Sequence, residues 1–363
     1  MEAARAKKTE SQRREARAGT VLEKGRPMLA STRSRREKLQ ELFEEWLRER
    51  GRTWAGLQAL AKYDVEQLNE ILIWYGQWLY AEGKPYYHLS ETINMFSLVC
   101  PQVRRQLQPA WDICFSWQRQ EPPVHHTALP WQILLGMLSI SMLWGWMDVA
   151  GILAICWGGL ARVGEAMAAR RRDLVLPDDV GVDCGADGSM ILMAVMEPKT
   201  RFKAARHQCV KVDQPQLVKL IRCAFQPLRA EEKLWPRSGA TLRARFQKLL
   251  SALGIPPNAV AGVRDFDLAS LRAGGATWLM GSTESPELVR RRGRWVTAKV
   301  MEIYIQEMAA MMFLPRLEPE LRENIFHWAN AFDEAFEFVV WCKSLGLLPK
   351  YWLFLLQQGV IYA

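Results

Sequence analysis

The stretch "GRWVTAKVMEIY", residues 293–304, puts a Gly-Arg-Trp turn ahead of a helical run that ends on a single tyrosine. Val300, Ile303 and Met308 flank Tyr304 at helical spacing, so within this run alone Tyr304 packs. The periodicity predicts one helix over 297–313. Just upstream, "SPELVRRRGRW" (285–295) predicts a short helix and a turn. Its Arg291, Arg292 and Arg294 suit either a solvated face or contacts to phosphates beside Tyr304.

Three further segments belong with this one. In "LARVGEA" (160–166), Arg162 and Glu165 stand three apart, so that on a helix the carboxylate holds the guanidinium in a fixed pose. Lys199 lies in the charged tip "EPKTRFKAAR" (197–206) between two strand signals, beside Arg201 and Lys203, which suit either a solvated hairpin tip or contacts to phosphates. Arg272, in "LASLRAGGATWLM" (268–280), opens a helix among small residues that allow close backbone approach. Two arginines, a lysine and a tyrosine are a set that can transfer a phosphoryl group without a metal. Forked guanidiniums bind the oxygens on which charge grows in the transition state, a lysine protonates the leaving oxygen, and a tyrosine forms the covalent phosphoester.

In order and spacing these residues resemble the tyrosine recombinase (phage integrase) family. Arg162 and Glu165 match its R-x-x-E pattern, Lys199 its β-hairpin lysine, Arg272 its box arginine, Trp295 its His or Trp after a glycine, and Tyr304 its nucleophile. The chain departs from the family at Ala269, where the box carries a histidine or lysine that assists proton transfer. Losing a general base costs about 10²- to 10⁴-fold in rate, and His207 is the one distant substitute the sequence suggests. The resemblance implies a mostly α (α+β) fold: a helical, SAM-like core-binding domain and a catalytic domain of the DNA breaking-rejoining type with a small antiparallel β-sheet. It further implies cleavage and rejoining of double-stranded DNA through a 3′-phosphotyrosine, with no metal or other cofactor, by a homo-tetramer on paired sites.

Organisation along the chain agrees with that division. Residues 1–35 read as a basic, disordered arm. Helical signals fill 36–120, where Leu39, Leu42, Phe43 and Trp46 share one face and Asp64 caps a helix closed by Gly83 and Pro85. "EPPVHHTALP" (121–130) reads as a linker, with His125 and His126 solvent-exposed and not metal ligands. A catalytic domain over 131–313 follows, its strands expected in "DLVLP", "SMILMAVM" and "HQCVKV", with Asp213 and Gln216 capping the next helix. Residues 314–363 read as a helical tail.

The bulk numbers bound the partner. With 363 residues, 49% of them hydrophobic, the chain can bury two cores, and 48 Lys+Arg against 39 Asp+Glu give +9, which favours a polyanion. The seven cysteines form no C-x-x-C pair, which argues against zinc and for a reducing intracellular compartment, the nucleus in a eukaryotic host. The apolar run 131–160 raises a membrane-associated helical protein as an alternative class, but Gly145 and Asp148 divide it into a helix-turn-helix fit for a core. A second alternative, motivated by Ala269, is a mobile-element-derived protein that grips DNA without cutting it.

Overall fold

The computed structural model describes residues 9–21, 28, 30–122, 124–180, 190–196, 198 and 208–357. Helices dominate, and the chain divides into two units, 1–123 and 124–363. The first holds α1 (Glu10–Arg17), α2 (Ala30–Arg48), α3 (Trp54–Tyr63), α4 (Val65–Ala81), α5 (Tyr87–Val99) and α6 (Gln108–Gln120). Within the arm expected to be disordered, α1 is closed by a Thr9–Gln12 capping box and buries nothing, so local hydrogen bonds alone form it. Phe43, Trp46 and Leu47 of α2 pack with Leu68, Ile71, Leu72 and Tyr75 of α4, the Phe43 and Tyr75 rings 4.4 Å apart. Leu39 is also buried, and Leu42 only partly. Asp64 caps α4 as its position predicts, its Oδ1 accepting from the Gln67 N–H at 2.9 Å.

In the second unit α7 (Trp131–Leu143) and α8 (Met147–Gly158) are the two halves of the long apolar run, and nearly all their side chains are buried. They are hydrophobic all round because α8 is the central helix, covered on several sides by other elements. Asp148 opens α8 in ion pairs with Arg237 and Arg245, which accounts for the lone charge in that run. Among the described residues no helix is long and apolar enough to cross a membrane.

The chain continues through α9 (Val163–Ala168), β1 (Leu174–Val175), α10 (Pro177–Val180), β2 (Ile191–Val195), β3 (Gln208–Val212), α11 (Pro215–Phe225) and α12 (Gly239–Ala252). The strands form one antiparallel sheet in the order β1-β2-β3, Met193 standing opposite both Leu174 and Val210. Ile191, Met193, Val195, Val210 and Val212 turn one face into the core, as the period of two requires. Lys199, Arg201, Lys203 and His207, in and just after the tip between β2 and β3, lie outside the described residues.

One expected cap is corrected: α11 is not capped by Asp213 and Gln216. Its N-cap is Gln214 with Pro215 at the first helical position, and Asp213 is instead taken by Arg292 and Lys211.

Next come α13 (Ser270–Thr283), α14 (Pro286–Gly293), α15 (Ala298–Glu302), α16 (Glu307–Phe313), α17 (Pro319–Asn330), α18 (Phe332–Ser344) and α19 (Pro349–Gln357). The helix expected over 297–313 is broken between α15 and α16. Thr277 Oγ1 donates to the Tyr304 carbonyl at 3.0 Å and accepts from the Gln306 N–H at 3.1 Å, tertiary bonds that replace the helical ones there. Residues expected as a tail carry Ile325, Phe332, Phe338, Val339, Cys342 and Trp352 into the same core as α7 and α8.

Contact between α13 and α8 is close because Gly275 has no side chain. A Cβ there would stand 1.9 Å from the Trp157 carbonyl oxygen, a backbone atom that cannot swing aside. Gly275→Ala is expected to destabilise the second unit by about 2–3 kcal/mol, the cost of overpacking a tight core. An unchanged urea midpoint would contradict that packing.

Candidate functional site

At the end of α8 the backbone of Leu160 turns left-handed (φ 51°), which leaves Arg162 as the N-cap of α9. Glu165, in the first turn, accepts from the Arg162 backbone N–H at 3.0 Å through Oε2 and from Arg162 Nη1 at 2.7 Å through Oε1. The same Oε2 accepts from Arg294 Nη2, and the side chains of Glu165 and Arg294 are each 7% exposed. Glu165 therefore bridges two guanidiniums.

Burial alone pushes the Glu165 carboxyl up, but the charge of Arg294 and the hydrogen bonds and charge of Arg162 outweigh it and hold the carboxyl below its ordinary range. A depressed folded value contributes stability that is present above the unfolded value and lost as pH falls through the folded one. Glu165→Gln is expected to weaken the protein at neutral pH and to flatten its acid denaturation below about pH 4.3. Parallel melting curves for the two proteins from pH 7 to 3 would contradict this.

Arg294 reaches this position through its own backbone. It caps α14 in a left-handed conformation (φ 57°), its N–H bonded to the Arg290 and Arg291 carbonyls, and its side chain turns inward to Glu165. Gly293 is required before it, since a Cβ at Gly293 would stand 1.7 Å from the Trp295 ring. Arg291 is exposed, and Arg292 binds the Lys211 carbonyl at 2.9 Å and Asp213, tying α14 to the end of β3.

Arg272, in the first turn of α13, is 4% exposed. One of its nitrogens donates to the Gly293 carbonyl, and its guanidinium lies 4.8 Å from the centre of the Trp295 ring and 5.5 Å from that of Tyr304. The two rings are themselves 4.9 Å apart. Burial pushes the Arg272 guanidinium down to about 10, with Arg162 and Arg294 acting in the same direction and Tyr304 and Glu165 opposing them. It stays a cation at neutral pH.

Trp295 is buried with Leu160, Ala276 and Met301, and Tyr304 is half-buried against that cluster. The structure thus brings Arg162, Glu165, Arg272, Arg294, Trp295 and Tyr304 together. Ala269 precedes α13 with no side-chain cap.

Four buried nitrogens in this cluster have no hydrogen-bond partner among the described residues: Nε and Nη1 of Arg272, and Nε and Nη1 of Arg294. Orphaned buried donors are costly, more so on charged groups. Among the described residues, three guanidiniums against one carboxylate leave the cluster two positive charges in excess. An anion with several oxygens satisfies both demands. Among the described residues no cluster of His, Cys, Asp or Glu is arranged to hold a metal ion.

Three solved structures are similar to this chain in fold. The XerH site-specific recombinase bound to difH substrate, in a pre-cleavage complex, is 12% identical over 62% of this chain and 67% of its own, with a TM-score of 0.37. The same recombinase in a post-cleavage complex with palindromic difH is 13% identical over 74% and 73%, with a TM-score of 0.47. The XerA recombinase is 12% identical over 77% and 97%, with a TM-score of 0.37. No family model and no curated protein matches the sequence.

Proposed function

We propose that this chain is a tyrosine recombinase that cleaves and rejoins duplex DNA through a covalent 3′-phosphotyrosine at Tyr304. One observation carries the reading: the buried Arg272 guanidinium packs beside the half-buried Tyr304, and it and Arg294 together carry four nitrogens without a hydrogen-bond partner among the described residues. In this mechanism the phosphodiester supplies the missing oxygens. Arg162 and Arg272 bind its nonbridging oxygens, and Arg294 adds a third cation. Their donors gain most where charge is greatest, in the pentacoordinate transition state.

Tyr304 attacks phosphorus, the bond to the 5′ oxygen breaks, and Lys199 gives that oxygen a proton. The phosphotyrosine conserves the bond for rejoining to another strand. Trp295 buttresses the tyrosine and Arg272 through ring contacts. Arg201, Lys203 and the exposed Arg291 are assigned to the DNA backbone, and the working assembly is a tetramer on paired sites.

Ala269 favours a second reading, a chain that binds DNA without cutting it. Trapping on nicked duplexes separates the two. A recombinase leaves an SDS-resistant protein-DNA adduct, whereas a binding protein leaves none and shows only affinity that falls as salt rises.

A further inference from the structure

A phenol that attacks at neutral pH needs a proton acceptor, because tyrosine ordinarily titrates near 10. Ala269, at the start of α13, offers none. Of the five histidines, His88 belongs to the first unit, His327 to α17, and His207 lies outside the described residues. The two others precede α7, in the segment expected to be a solvated linker. His126 departs from that expectation. Its Nδ1 lies 2.7 Å from Asp267 Oδ2, 141 residues away in sequence.

Asp267 has a second engagement. Its Oδ1 accepts from the backbone N–H groups of Ala269 at 2.8 Å and Ser270 at 3.3 Å, so the carboxylate that meets His126 also fixes the start of the helix bearing Arg272. Arg264 completes its partners at 3.2 Å. The backbone around His126 is fastened to the turn of Tyr304 as well. Gln306, two residues past Tyr304, donates through Nε2 to the His126 carbonyl at 2.7 Å and accepts through Oε1 from the Ala128 N–H at 3.1 Å. The segment of His126 is thereby fastened both to the turn of Tyr304 and to the start of the helix that bears Arg272, and its side chain is 42% exposed.

We infer that His126, oriented by Asp267, is the proton-transfer residue serving Tyr304 in place of a side chain at position 269. With Nδ1–H donated to the carboxylate, Nε2 is the free acceptor, the tautomer a general base requires. As the tyrosine oxygen bonds phosphorus, Nε2 takes the phenolic proton. The bond from phosphorus to the 5′ oxygen breaks with its electron pair on that oxygen, which takes its proton from Lys199. Rejoining runs the same transfers in reverse.

This inference rests on Tyr304 being the nucleophile, and single-turnover cleavage of a nicked duplex by the full chain tests both. His126→Gln is expected to slow adduct formation about 10²-fold with duplex affinity unchanged, and adding Ala269→His in that background is expected to recover about tenfold or more. Cleavage by His126→Gln at the parental rate overturns the role of His126. So does a slow variant that Ala269→His fails to relieve, since His126 then only clips the segment in place. An unmodified chain that forms no adduct sinks the reading of Tyr304 itself, whereas an adduct indifferent to His126 sinks this inference alone.

Discussion

Arg272→Lys is expected to lower strand cleavage by about 10³-fold or more while duplex binding persists. The guanidinium is buried, donates to the Gly293 carbonyl, lies against two aromatic rings, and has Nε and Nη1 without a hydrogen-bond partner among the described residues. A lysine ammonium can satisfy the Gly293 carbonyl or reach toward a phosphate oxygen, but it cannot present a planar fork to two oxygens at once. Loss of one preorganised donor costs about 10²- to 10³-fold, and this change removes two. Thermal melting of the variant separates that loss from unfolding. Cleavage within tenfold of the parent, by a folded variant, would show that Arg272 does not face the phosphate.

Tyr304→Phe is expected to have the larger effect on chemistry and a small one on stability. The Tyr304 ring packs 4.9 Å from Trp295 and beneath Arg272, contacts a phenylalanine keeps, while only the hydroxyl can bond phosphorus. Cleavage is expected to fall to background, a loss on the order of 10⁶-fold for a removed nucleophile. Stability should move by no more than about 0.5 kcal/mol. A variant that still cleaves would assign the attack to another group.

Several of these features are legible in the chain because they are local. Arg162 and Glu165 announce themselves by spacing, and Gly293 with Trp295 by the Gly-Arg-Trp turn, whose intolerance of a Cβ only the folded ring of Trp295 shows. The division of 131–160 into two core helices follows from its turn residues and its one charge. What the sequence conceals is set by distant partners. The run at 290–294 reads as one outward face, suited to solvent or to phosphates, yet its members differ because Arg294 adopts the left-handed backbone that aims it at Glu165. A helical period continues unbroken through Tyr304, and only Thr277, from α13, shows why the helix stops. His126 looks like part of a proline-broken linker until Asp267 is folded against it. The core role of α17 and α18 is likewise invisible without α7 to receive them.

The most direct test of the account is to locate the covalent bond. The protein would be trapped on a nicked duplex, digested with trypsin, and the nucleotide-bearing peptide sequenced by mass spectrometry. The account predicts a 3′-phosphonucleotide on the peptide spanning 300–316, whose one tyrosine is Tyr304. A nucleotide on any other residue, or bound duplex with no adduct, would contradict it.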